Sequence, residues 1–252
     1  MPQAPAAGVA PVTPRLSLLG VPVDLTTREA ALARCRKAIL GLEGPLQVVT
    51  LNPEMVVWAG RAPELAETIR RAGLVLADGS GISWAARRMG LPLPERIPGA
   101  DFLVDLCGLC AQMGRSVFLL GGRQGVAEAA YERLRQLAPG LELAGAFSPR
   151  PDELEEAAGR VRASGASVVA VALGVPRQDL WLGRYLEESG CRVGIGVGGS
   201  LDYLSGRVRR APAPLRRAGL EWSWRLLRQP WRVARMARGS VFFWRVLLEG
   251  RG

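Results

Sequence analysis

Short apolar runs recur along this chain at residues 46–50, 74–77, 116–120, 167–173 and 193–197. Each is closed by a polar or glycine-bearing turn, and stretches with helical spacing separate them. A run that is apolar throughout suits a strand covered on both faces, which is the condition of a parallel sheet. Alternation of such runs with helices predicts an α/β fold: a Rossmann-like, doubly wound parallel sheet with helices on both faces. Ahead of it, residues 16–24 read as a small hairpin, and a helix follows over 27–40 with Thr26 or Thr27 at its cap. Further helices are expected over 64–72, from Asp101 as cap to residue 113, over 126–137 and 152–164, and from the loop at 174–179 to residue 188.

In parallel α/β sheets ligands sit beyond the carboxyl ends of the strands, so the residues that close each run are the candidate site. Asp78 ends the run 74–77 inside the turn Asp78-Gly79-Ser80-Gly81, where glycine allows close approach of a ligand. A helix cap is the other reading of Asp78. Thr50 and Asn52 stand at the end of 46–50, with Pro53 suited to the first turn of the next helix. The loop 95–101 brings Arg96 toward the same edge. Gly121 and Gly122 follow the third run; a glycine turn between strand and helix can cradle phosphate, and it is also an ordinary way to turn a corner. It lacks the full GxGxxG with an acidic partner, which argues against a dinucleotide site. Gln178 lies in the loop 174–179, and Gly199 and Asp202 close the last run.

Histidine is absent, which removes imidazole bases, Ser-His and Cys-His pairs and the commonest zinc ligand. Any catalysis must rest on carboxylates and arginines. Cys107 and Cys110 form a CxxC, but within an apolar helical pattern and without a second pair, so core packing is expected and no metal site. No cofactor is indicated. Residues 1–14 are rich in Ala and Pro without the plan of a signal peptide and read as a disordered tail. No run of about 18 apolar residues exists to span a membrane, and a cytoplasmic location is the expectation.

The net charge of +10 is not spread evenly. Residues 1–206 balance 21 basic against 21 acidic side chains, whereas 207–252 hold twelve arginines against Glu221 and Glu249. The expected division is therefore an α/β core over 15–206 and a basic helical appendage over 207–252. At 100° per residue Arg225, Arg228, Arg232 and Arg235 share one arc, and Trp222, Leu226, Val233, Ala237, Val241 and Trp244 group on nearly the other side. A basic helix with aromatic residues opposite fits an anionic membrane surface. The competing readings are a helix docked on the core, a nucleic-acid-binding tail and a non-catalytic membrane scaffold. A nucleic-acid partner is not expected, because it would leave the polar strand ends unexplained.

Taken together, TLNPE (50–54), LADGSGI (76–82), ERIPGAD (95–101), FLLGG (118–122), GVPRQD (174–179), GVGGSLDYLSGRVRRAP (196–212) and LEWSWRLLRQPWRVAR (220–235) resemble the WecG/TagA/CpsF glycosyltransferase family. The resemblance implies an enzyme peripheral on the inner face of the cell membrane. It would move a sugar, typically N-acetylmannosamine, from a UDP-sugar donor to a polyprenyl-diphosphate-linked sugar acceptor in cell-envelope polysaccharide synthesis. It further implies that Asp78 is the catalytic base with Thr50 and Asn52 beside it, that Arg96, Gln178 and Asp202 line the donor pocket, and that Arg225, Arg232 and Arg235 complete the site. Asp179 stands where the family usually has Glu, Ser80 replaces a common apolar residue, and the usual His-Gly before the fourth helix is replaced near Phe147-Ser148-Pro149. The chain contains no Asp-x-Asp pair to hold a metal on a diphosphate, so transfer without metal is expected, its charge met by arginine forks and glycine-turn amides. The sequence leaves the oligomeric state open, a homo-oligomer included.

Overall fold

The structure, a computed structural model, describes residues 14–212, 214–215, 220–228 and 233–249; the side chains of residues 225 and 233–238 lie outside that description. The chain opens with the expected hairpin, β1 (Arg15–Leu18) antiparallel to β2 (Val21–Asp24). Leu19 and Gly20 turn it with φ of 53° and 81°, the pair of left-handed residues that matches the twist of a two-residue hairpin. Asp24 is buried at the end of β2, where Arg15 Nε donates to Oδ1 at 2.8 Å and the Val75 amide donates to Oδ2 at 2.5 Å. That second bond occupies an edge amide of the main sheet that would otherwise be open to pairing with another chain.

After α1 (Arg28–Ile39), capped by Thr27, the main sheet begins. In chain order come β3 (Leu46–Leu51), α2 (Pro53–Ala59), α3 (Pro63–Arg71), β4 (Leu74–Ala77), α4 (Ser80–Arg88), α5 (Gly99–Gln112) and β5 (Ser116–Gly121). Then follow α6 (Val126–Leu137), β6 (Glu142–Phe147), a 3-10 turn at Pro151–Glu153, α7 (Leu154–Ser164), β7 (Val168–Ala172), α8 (Arg177–Tyr185), β8 (Val193–Gly196) and α9 (Ser200–Leu204). The six strands are all parallel, in the order β4-β3-β8-β7-β5-β6.

Alternate residues of the strands feed opposite faces. Val48, Leu76, Leu119, Ala170 and Ile195 pack under α1, α5, α6 and α9, while Val49, Leu51, Val75 and Ala77 meet α2, α3 and α4 on the other side. Phe118, Leu120, Val169 and Val171 meet α7 and α8 on that same side. Cys107 and Cys110 are fully buried within the first cluster, where desolvation pushes both thiols up, Cys110 to about 12, as packing residues rather than reactive ones.

Two expectations need correction. The strand β6 was not anticipated: it is the outermost strand, half-exposed, and Gly145 interrupts its apolar pattern because the Phe118 ring lies where a side chain would go, 2.6 Å from the position of a Cβ. Asp101 does not cap α5, since the cap falls on Pro98 and Asp101 sits in the first turn.

Beyond α9 the basic segment forms α10 (Glu221–Arg228) and α11 (Val233–Glu249). Phe242 and Val246, four residues apart on one face of α11, are completely buried against the cluster formed by α2 and α4, and the Phe243 ring packs 5.2 Å from that of Trp84. The opposite side leaves Trp244 67% and Leu248 71% exposed, and Trp222 and Leu227 on α10 are exposed as well. Phe242→Ala should therefore cost about 3–5 kcal/mol of stability, and Trp244→Ala no more than about 0.5 kcal/mol. Denaturant unfolding of the two variants checks both.

Candidate active site

The polar strand ends expected from the sequence lie along one carboxyl edge of the sheet. Thr50 and Asn52 follow β3, Asp78 follows β4, and Gly121 and Gly122 close β5. Gln178 opens α8 after β7, and Gly199 and Asp202 follow β8. Arg96 lies in a loop pinned twice: the Arg28 amide donates to Glu95 Oε2 at 2.7 Å, and the Ile97 amide donates to the Ala77 carbonyl at 2.9 Å, one residue before Asp78. Arg232 and the side chains of Arg225 and Arg235 lie outside the described residues.

The centre of this edge is stitched together by side chains. Thr50 Oγ1 donates to the Gly196 carbonyl at 2.9 Å and is nearly buried, so its proton braces β3 against β8. Gln178, 2% exposed, accepts from the Gly198 amide through Oε1 at 2.9 Å and so fixes the glycine turn after β8. A Cβ on Gly196 would lie 2.7 Å from Gln178 Nε2 and 2.9 Å from Asp179 Oδ1; a side chain there would expel both. Gly99 meets the same edge from α5, where a Cβ would come within 2.8 Å of Thr50 Cγ2. Asn52 caps α2, its Oδ1 accepting from the Met55 amide at 3.1 Å. Asp78 is held next to it, because its amide donates to the Leu51 carbonyl at 2.8 Å. The cap position of α4 falls on Gly79, with φ of 86° and no side chain to fill the role.

Between β5 and β7 the connections diverge, β5 leading outward to β6 and β7 back toward β8, and a sheet opens a crevice at such a switch. A cleft of about 210 Å³ lies there, lined by Gly122, Arg123, Leu154, Leu173, Arg177 and Asp202 among others. Gly121 makes the approach of the two strand ends possible: at φ of 99° its Cβ would be 2.7 Å from the Ala172 backbone. Arg123 and Arg177 were not singled out from sequence, although each stands within or beside a quoted motif. Both are exposed. They line the cleft together with Leu154, Leu173 and Asp202, a set that can take an anionic group and a hydrogen-bond donor from one ligand.

Asp179 lies beneath the edge. It is fully buried, neither carboxylate oxygen has a hydrogen-bond partner of good geometry among the described residues, and desolvation raises its pKa to about 7 against a smaller opposing pull from the adjacent Gln178 amide.

A parallel α/β sheet with carboxylates and guanidinium groups along its carboxyl edge, and a cleft at its switch point, defines a class by architecture: open α/β sheets whose ligand crevice lies beyond the carboxyl ends of the strands. The family within that class follows from comparison. The sequence pattern of the Glycosyl transferase WecG/TagA/CpsF family matches residues 16–252, and the chain belongs to that family. It is similar to an N-acetylglucosaminyldiphosphoundecaprenol N-acetyl-beta-D-mannosaminyltransferase of Bacillus spizizenii strain W23, 35% identical over 189 residues, 75% of this chain and 74% of the relative. A protein of the same description from Staphylococcus aureus strain MW2 is 31% identical over 236 residues, covering 93% of this chain and 92% of the relative.

The buried acid has a thermodynamic consequence. Unfolded, Asp179 ionises near 3.8, and folded near 7, so between these values the native state alone keeps the proton and stability falls as pH rises. Below the lower value both states are protonated, and above the upper one the whole penalty is present. Asp179→Asn should differ least from the wild type below about pH 3.8 and gain on it up to about pH 7, after which the difference levels off. Tm measured across pH checks the sign.

Proposed function

We propose that the chain is a glycosyltransferase that carries N-acetylmannosamine from UDP to a polyprenyl-diphosphate-linked N-acetylglucosamine, with inversion and without a metal ion. Asp78 is its general base. The acceptor hydroxyl oxygen attacks the anomeric carbon, the bond from that carbon to the diphosphate oxygen breaks, the proton passes to Asp78, and the electron pair leaves with UDP. The leaving diphosphate gains charge, which arginine forks and backbone amides of the glycine turns offset.

The observation that carries this reading is the row itself: an arginine-flanked cleft at the β5/β7 switch and the Asp78 carboxylate at β4 lie on one edge. From β7 to β4 are three strand spacings, about 14 Å. An extended nucleotide sugar suits that span, its nucleoside end near Asp202, its phosphates near Arg123 and Arg177, and its sugar over Gly198-Gly199 toward Asp78 and Arg96. The activity of the relatives names the sugar transferred and the lipid-linked acceptor, and gives no support to the nucleic-acid or scaffold alternatives. The absence of an Asp-x-Asp pair supports charge compensation by arginine.

Asp78→Asn should keep UDP affinity within about threefold and lower turnover by roughly 10²-fold or more. Calorimetry and initial rates on a short-chain, water-soluble lipid-diphosphate acceptor test this; undiminished turnover would move the base elsewhere. We assign the appendage to an anionic membrane surface. No helix among the described residues is long and apolar enough to cross a membrane. The exposed Trp222, Leu227, Trp244 and Leu248 offer apolar area on a strongly basic segment. Replacing Trp244 and Leu248 by Ser should weaken sedimentation with phosphatidylglycerol vesicles by roughly tenfold or more, with Tm unchanged.

A further inference from the structure

The basic segment meets the core at one compact ion cluster, and its position gives it a role that charge alone does not. Arg210 grips Asp101 with both terminal nitrogens, Nη1 to Oδ1 at 2.5 Å and Nη2 to Oδ2 at 3.0 Å, and its Nε lies 3.5 Å from Glu221 Oε1. All three side chains are no more than 29% exposed. Burial alone would lower the pKa of Arg210, but the Asp101 bond and the charges of Asp101 and Glu221 reverse this and leave it raised.

Asp101 sits in the first turn of α5, two residues after Gly99, which packs directly on Thr50, and the loop before it carries Arg96 and is tied to the end of β4. Glu221 is the first residue of α10. The stretch between is fastened at both ends: the Val208 amide donates to the Asp202 carbonyl at 3.0 Å, Ala211 is buried, and Trp224 Nε1 donates to the Arg209 carbonyl at 3.1 Å. Residues 206–212 thus cross from α9 to the start of α5 along the carboxyl edge, and α10 begins at that crossing.

We propose that Arg210 is a positioning residue: by bridging Asp101 and Glu221 it fixes α10 against the mouth of the active site, and turnover depends on that placement. This rests on the transferase reading for its catalytic half alone. The bidentate fork sets orientation as well as distance, which a single ammonium could not do.

The test compares Arg210→Gln, Glu221→Gln and, as a control with the same charge change, Arg209→Gln, whose side chain is exposed. Amide hydrogen exchange over residues 221–228 reads the bridge, and initial rates on the soluble acceptor read its effect. Arg210→Gln should speed exchange and lower kcat, each by roughly tenfold, with donor KM within about twofold. Glu221→Gln, which keeps the Asp101 fork and hence the fold of α5, should shift both in the same direction by less. Arg209→Gln should change neither. Asp101→Asn combined with Arg210→Gln should be no worse than Arg210→Gln alone, the non-additivity of one shared interaction. Unchanged exchange in both Arg210→Gln and Glu221→Gln overturns the bridge. A raised donor KM with kcat intact overturns positioning in favour of donor contact, and an equal loss in Arg209→Gln reduces the effect to net charge. Should the wild type transfer no sugar, the transferase reading falls together with the dependence of turnover, and the exchange data still decide whether Arg210 holds α10.

Discussion

The missing side chain at Gly196 is the constraint on which the carboxyl edge of the sheet depends. It admits the Gln178 amide to the end of β8, which lets Gln178 hold the Gly198 amide and leaves the Gly196 carbonyl to receive Thr50. Two strand ends, those of β3 and β8, and the start of α8 are thereby locked to one another by hydrogen bonds in a buried setting, where an unmade bond would cost about 1–3 kcal/mol. Gly99 repeats the device from α5 against Thr50. A rigid floor follows, and backbone bonds help hold the groups above it: the Asp78 amide donates to the Leu51 carbonyl, and Arg96 is flanked by the bonds of Glu95 and Ile97.

Much of this was legible in the sequence because parallel strands buried on both faces are apolar throughout, and because polar residues at their ends have few other reasons to recur. Thr50, Asn52, Asp78, Gln178 and Asp202 all reach one edge for that reason. Their individual bonding was not legible. Thr50 and Asn52 could be placed beside Asp78 by position, whereas the Gly196 carbonyl that holds one and the α2 cap that engages the other depend on strand order, which pairs residue 50 with residue 196. Arg123 and Arg177 escaped for a similar reason: 54 residues apart, they face one cleft only because β5 and β7 are neighbours. The strand β6 escaped because an outer strand needs no continuous apolar run, and its glycine exists for Phe118.

The appendage divides what the periodicity could not. A wheel built on arginines and tryptophans separates a basic arc from an apolar one, but α11 has two apolar sides. Phe242 and Val246 belong to the core, while Trp244 and Leu248 do not. The docked-helix and membrane-surface readings are therefore compatible on one helix: the core fixes its orientation, and that orientation decides which aromatic residues remain outside. The charge change at Gly206 marks a change of surface, and packing continues across it.

On the proposed transferase reading an anionic donor, an anionic acceptor and a carboxylate base share one edge, and cations are needed there to screen the phosphates. Arg123 and Arg177 stand at the β5/β7 end and Asp78 at the β4 end, with the uncharged Thr50, Asn52, Gln178 and glycine turns between them. Arg210 lies between Asp101 and Glu221 at the rim, one guanidinium against two carboxylates. Asp179 shows what burial does to an acid: placed below the same edge without a good hydrogen bond among the described residues, it holds its proton to about pH 7. Two acids on one edge thus meet opposite environments, one at the mouth and one sealed under the sheet.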